Sequence, residues 1–102
     1  MATHIRADGT ESVVAPISGQ QFTLKELQDF VQGRVEILRL PNRAILIVNE
    51  DGKNDGLPEN VEATRIWKEA YPIDEFPWNN DELVVGDVIL IDNDELDELG
   101  EE

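Results

Sequence analysis

The 102-residue chain has no cysteine, which removes disulfides, thiolate metal sites and cysteine nucleophiles together. It has a single histidine, His4. With no serine or acid at a suggestive spacing, and on what reads as an edge strand, His4 is taken as a surface residue rather than a general base. No glycine-rich phosphate loop leads into Lys-Ser or Lys-Thr, and there is no HExxH, so two common catalytic signatures are missing. Carboxylate pairs carry no information in a chain with 23 acids. No apolar run approaches the roughly 20 residues that span a bilayer. Residues 1–8 (MATHIRAD) lack the apolar core of a signal peptide. These absences point to a cytoplasmic, non-enzymatic protein with no catalytic residues, no metal, no cofactor and no membrane attachment.

The scarcity of cations is local. Residues 1–68 hold all eight Lys and Arg against ten acids, a net of −2, whereas residues 69–102 hold thirteen acids and no cation, a net of −13. A salt-adapted protein would spread its acids over the whole surface. No broad basic face can be assembled, which argues against direct binding to nucleic acid. The acidic third is either a solubilising segment or a phosphate-like array suited to a basic groove. DNA carries one charge per roughly 1.7 Å of axis, and Asp74, Glu75, Asp81, Glu82 and Asp87 are the acids placed to imitate it.

What is present is an ordinary globular share of apolar residues, 40%, enough for one domain with its own core. Residues 3–7 and 10–15 read as strands around the turn signal Asp8-Gly9. Thr23-Leu24-Lys25-Glu26 is a capping box, and Leu24, Leu27, Phe30 and Val31 follow at helical spacing to Gly33, predicting a helix over 24–32. Val35 to Leu40 reads as a strand. Ala44-Ile45-Leu46-Ile47-Val48 is an unbroken apolar run of the kind found in a central strand covered on both faces. A second helix is expected over 60–71, stopped by Pro72. A last strand is expected over 83–91 with a bulge at Gly86. The order β-β-α-β-β-α-β predicts an α+β fold, a mainly antiparallel sheet of about five strands with two helices packed on one face. The domain is placed at residues 1–91 and an acidic tail at 92–102.

Several residues are candidates for binding. Asp51, Asp55, Gly56 and Glu62 fit positions 1, 5, 6 and 12 of a calcium-binding EF-hand loop, but Lys53 stands at position 3 and a strand precedes the loop, so 51–62 is read as a solvated turn. Arg34, Arg39 and Arg43 could hold an anion together with the N–H groups at the start of the second helix, or could simply offset local acids. Phe76 and Trp78, beside Pro77, are either a cap on the core or exposed anchors for a partner.

The segments Thr23-Leu24-Lys25-Glu26-Leu27-Gln28, Val31-Gln32-Gly33, Asn49-Glu50-Asp51-Gly52, Gly56-Leu57-Pro58-Glu59-Asn60, Ala63-Thr64 and Val85-Gly86-Asp87-Val88-Ile89 resemble a family of small uncharacterised proteins of bacteria, bacteriophages and plasmids, known only as a domain of unknown function. The resemblance covers most of residues 20–91, and the loop 72–82 and the tail look like additions to it. It implies a cytoplasmic setting, often on a mobile element, and no activity. Asn49, Asn60 and Thr64 form the densest group of polar residues at positions of special geometry and mark a candidate site. The leading expectation is a host protein as partner, engaged through the acidic and aromatic C-terminal third. The rival is sequestration of a nucleotide-like small molecule at residues 49–64, with the arginines supplying positive charge, across a homo-oligomer interface if one forms.

Overall fold

Helix α1 shows how local chemistry opens and closes an element. The Thr23 hydroxyl accepts from the Glu26 N–H at 3.2 Å, and the Glu26 carboxylate accepts from the Thr23 N–H at 2.8 Å, so two N–H groups at the helix start are satisfied reciprocally. In the computed structural model, which describes residues 2–17, 19, 21–41, 43–70 and 83–92, the elements in chain order are β1 (Ala2–Ile5), β2 (Glu11–Val14), α1 (Leu24–Val31), β3 (Val35–Arg39), β4 (Ala44–Asn49), α2 (Val61–Glu69) and β5 (Val88–Asp92). The expected order and the α+β class both hold. The predicted loop 72–82, with Phe76 and Trp78, and residues 93–102 lie outside the described residues.

The strands form one sheet in the order β2-β1-β5-β4-β3, and every neighbouring pair is antiparallel. β1 is therefore internal, lying between β2 and β5 rather than at an edge. The register explains the layering. Ile45 pairs with Ile91 and Ile47 with Ile89, while Leu46 pairs with Leu90, so alternate residues of β4 and β5 feed opposite faces. On one face Ile45, Ile47, Ile89 and Ile91 pack with Phe22, Leu27 and Val31 of the α1 region. On the other, Leu46, Val48, Val88 and Ile5 pack with Ala63 and Trp67 of α2.

The helices thus cover opposite faces, which corrects the expectation that both lie on one. The cause is the unbroken run in β4: a strand apolar at consecutive positions needs cover on both sides. Ile45, Leu46 and Ile47 are each at most 1% exposed, and each such burial contributes roughly 1.5–3 kcal/mol.

The last strand is shorter than expected. Val84 O accepts from the Asn60 N–H and the Gly86 N–H donates to Pro58 O, each at 2.8 Å, and Glu59 bridges Val85. The segment 84–86 therefore pairs with 58–60, off the main sheet. Gly86 (φ +78) turns the chain there, and a Cβ on it would stand 2.8 Å from Leu57. It is a turn ahead of β5 rather than a bulge within it.

Candidate functional site

The end of β4, the loop after it and the N-terminus of α2 converge at one end of the sheet, and the polar residues marked in the sequence hold that end together. Asn49, 8% exposed, donates through Nδ2 to Val31 O at 3.1 Å and Gln32 O at 3.4 Å, and accepts at Oδ1 from the Asp51 N–H at 2.8 Å. It closes the C-terminus of α1 and starts the loop. Asn60 caps α2, its Oδ1 accepting from the Ala63 N–H at 3.0 Å, and its Nδ2 donates to Ile5 O at 3.0 Å and Gly86 O at 2.9 Å. The Thr64 hydroxyl accepts from the Val84 N–H at 2.9 Å and donates to Val84 O at 3.3 Å. All three side chains turn inward and bond to the backbone of their own chain.

The three arginines do not meet. Arg34 pairs with Asp51 through Nε to Oδ2 at 3.0 Å and Nη2 to Oδ1 at 2.9 Å, with Glu50 at 3.7 Å. This forked contact holds the Asp51 carboxyl below the usual range. Arg39 lies at the far end of β3, about 16 Å from Arg34 at some 3.3 Å per residue. With Arg43, whose φ is +73, it flanks a cavity of about 260 Å³ at the β3–β4 hairpin.

In the 51–62 loop, Asp51 is bound by Arg34 and Glu62 by Arg65. The loop backbone closes on itself through Asp55 N–H to Asp51 O at 2.9 Å and Leu57 N–H to Gly52 O at 3.0 Å. Among the described residues no group of three His, Asp or Glu side chains is disposed to hold a metal ion.

Two larger recesses are formed by described residues. One, of about 300 Å³, opens beside the 49–54 loop, with Leu38, Val48 and Trp67 as apolar lining and Glu36, Glu50 and Lys53 as polar lining. The other, of about 550 Å³, lies on the α1 side and brings together His4, Arg6, Phe30, Gln32 and Asp87. Here His4 is half-buried rather than on an open surface. Its ring stands 4.8 Å from that of Phe30, its Nε2 is buried without a hydrogen-bond partner, and burial, with Arg6 nearby, lowers its pKa while a hydrogen bond to the Phe30 backbone opposes the shift. Arg6 and Asp87 are 81 positions apart, so no spacing in the sequence could unite them. The strand pairing of Ile5 with Val88, which no local pattern in the sequence encodes, sets both residues just beyond the same pair.

No helix among the described residues is long and apolar enough to cross a membrane. No curated protein and no solved structure matches the chain. A family model matches residues 2–101, wider at both ends than the stretch singled out by motifs, and the loop 72–82 and most of the acidic tail fall inside the matched span. The chain therefore belongs to the family described as a domain of unknown function, DUF3846.

Proposed function

We propose that this is a non-enzymatic binding protein of phage or mobile-element type that engages a host protein in the cytoplasm through its acidic C-terminal third. The observation that carries the reading is the charge split, thirteen acids without a cation over residues 69–102 against near balance before them. Residues 1–68 do not repeat that imbalance. Of the acids there, Asp29 is tied to Lys25, Asp51 to Arg34, Glu62 to Arg65, and Glu26 to the cap of α1. A surplus of negative charge at one end favours a partner with a basic surface, because steering by such a field speeds encounter and selects against acidic partners. Imitation of nucleic acid is one form of this reading.

The test is capture from host-cell extract by three proteins: the intact chain, a chain ending at Asp92, and Trp78→Ala. The expected result is one specific partner that is lost on trimming, weakened by Trp78→Ala, released by salt, and, for a nucleic-acid mimic, displaced by duplex DNA. Unchanged capture by both variants would remove the C-terminal third from consideration.

Sequestration of a nucleotide-like ligand has one observation in its favour, the cavity of about 300 Å³ at the 49–54 loop. Its polar lining counts against an anionic guest: Glu36 and Glu50 outnumber Lys53, and Arg34 is held by Asp51.

A further inference from the structure

Among the described residues Lys25 pairs with Asp29, Arg34 with Asp51, and Arg65 with Glu62 and Glu69; Arg6 is held differently. Arg6 makes two hydrogen bonds, Nη1 to the Thr10 hydroxyl at 3.3 Å and Nη2 to the Ser12 hydroxyl at 2.9 Å. Neither partner is a carboxylate, although the chain has 23 acids for eight cations. Asp8 lies close enough to feel the Arg6 charge, but its Oδ1 is taken by the Thr10 N–H and hydroxyl, so the two hydroxyls fix the plane of a guanidinium that keeps its remaining N–H donors for something else. Asp87 accepts from the Ala7 N–H through Oδ1 at 2.9 Å, which fixes its carboxylate and leaves Oδ2 open. Both residues line the cleft of about 550 Å³ on the α1 side.

The cleft's other acids are engaged: Asp29 by Lys25, and Glu26 by the backbone N–H groups of Thr23 and Ile17. Beside Arg6 and Asp87 the cleft lining includes the Phe30 ring and the largely exposed Ile17. Also lining it is His4, whose Nε2 is a buried polar atom with no partner, a demand that native structures seldom leave unmet.

We propose that this cleft binds a small zwitterion of the α-amino-acid type, with its carboxylate on Arg6, its ammonium on Asp87 and its apolar side chain against Phe30. A simple anion such as phosphate would meet Arg6 but be repelled by Asp87. A simple amine would meet Asp87 but be repelled by Arg6. Only a ligand carrying both charges satisfies both groups, and the volume falls in the range of small-molecule sites. This inference is independent of the acidic tail and of any macromolecular partner.

The test is a calorimetric and NMR titration of the intact protein with leucine, methionine and phenylalanine, beside leucine amide, which lacks the carboxylate, and N-acetylleucine, which lacks the ammonium. At least one of the free amino acids binds and shifts the His4 and Phe30 ring signals, and each blocked derivative binds at least about tenfold more weakly, since it leaves one charged group unpaired. Arg6→Gln abolishes binding. Asp87→Asn keeps an acceptor for the Ala7 N–H but loses the charge, and weakens binding at least about tenfold. Arg6→Lys, which keeps the charge without the fork, retains part of it. Circular dichroism shows which variants are folded. Absence of binding by all three amino acids at millimolar concentration would overturn the proposal. So would equal binding of the free and blocked forms, or by the folded Arg6→Gln and Asp87→Asn proteins.

Discussion

Asn60 is the side chain on which the end of the sheet depends most. It is 1% exposed and joins three segments, accepting from the first turn of α2 and donating to Ile5 O at the end of β1 and Gly86 O ahead of β5. Asn60→Ala removes the cap and leaves two carbonyls without that donor. Taken with losses of about 1 kcal/mol for a cap and roughly 1–3 kcal/mol for a buried polar group left unpaired, the cost should be about 3 kcal/mol. Asn60→Asp is the sharper probe. It keeps the acceptor for Ala63 but turns a carboxylate oxygen toward two carbonyl oxygens, so it should be as damaging as alanine in urea unfolding. If the Asn60→Asp protein were as stable as the native one, the donated bonds would contribute little and the cap would be the whole role. Asn49, Asn60 and Thr64 were legible as residues of demanding geometry, because amide and hydroxyl side chains beside turns and helix starts have special partners. That the partners are this chain's own backbone was not legible. Asn60 reaches residues 55 and 26 positions away, Thr64 one 20 away and Asn49 one 18 away, and no local pattern encodes such pairings.

At the level of elements, α1 and its junction with β4 separate what sequence can and cannot give. The capping box and the Leu27–Val31 spacing are local, and the helix starts and runs as they require. Its end is different. A glycine three residues beyond Phe30 suggests a left-handed glycine cap, yet the left-handed residue is Gln32 (φ +64) and Gly33 has another duty. A Cβ at Gly33 would stand 2.7 Å from Asn49 Nδ2, so the glycine makes room for the side chain that closes the helix. Two opposite outcomes follow. Gln32→Gly relieves a strained backbone and should stabilise by about 0.5–1 kcal/mol. Gly33→Ala should destabilise by about 1–3 kcal/mol through displaced Asn49 bonds, and that penalty should shrink in an Asn49→Ala background, where the obstacle is gone. Thermal melts of the native protein, the two single variants Gly33→Ala and Asn49→Ala, and their combination form the double-mutant cycle; additive effects would mean that Gly33 and Asn49 do not act on each other. The same limit explains the helix faces. The β-β-α-β-β-α-β order was readable from periodicity, but the side of the sheet each helix takes depends on strand order, and β5 inserting between β1 and β4 is a long-range event.

For the molecule as a whole, charge and protonation decide how stability varies with pH. The chain carries −15, so lowering the pH relieves self-repulsion while protonating groups that the fold prefers charged. Glu26 is held low by the backbone N–H groups of Ile17 and Thr23, Asp51 by Arg34, and Asp8 by the Thr10 hydroxyl and N–H. Folded pKa values below the unfolded ones mean that this stabilisation is present above about pH 4 and is lost as pH falls further. His4 acts in a separate window. Burial first, then Arg6, lowers its pKa, so the unfolded chain takes up the proton more readily and stability falls as pH drops below the ordinary histidine value of about 6.5. His4→Phe removes that contribution without touching the carboxylates or the net charge above about pH 7. Melting temperatures of the native and His4→Phe proteins, compared between about pH 7.5 and about pH 5, isolate it because relief of self-repulsion is nearly common to both and cancels in the difference. The native protein should lose ground steadily to the variant over that interval, with no further divergence once His4 itself is protonated in the fold. A difference that stays flat would mean that the His4 ring takes up its proton as easily in the fold as in the unfolded chain, and that the floor of the α1 cleft is open to water.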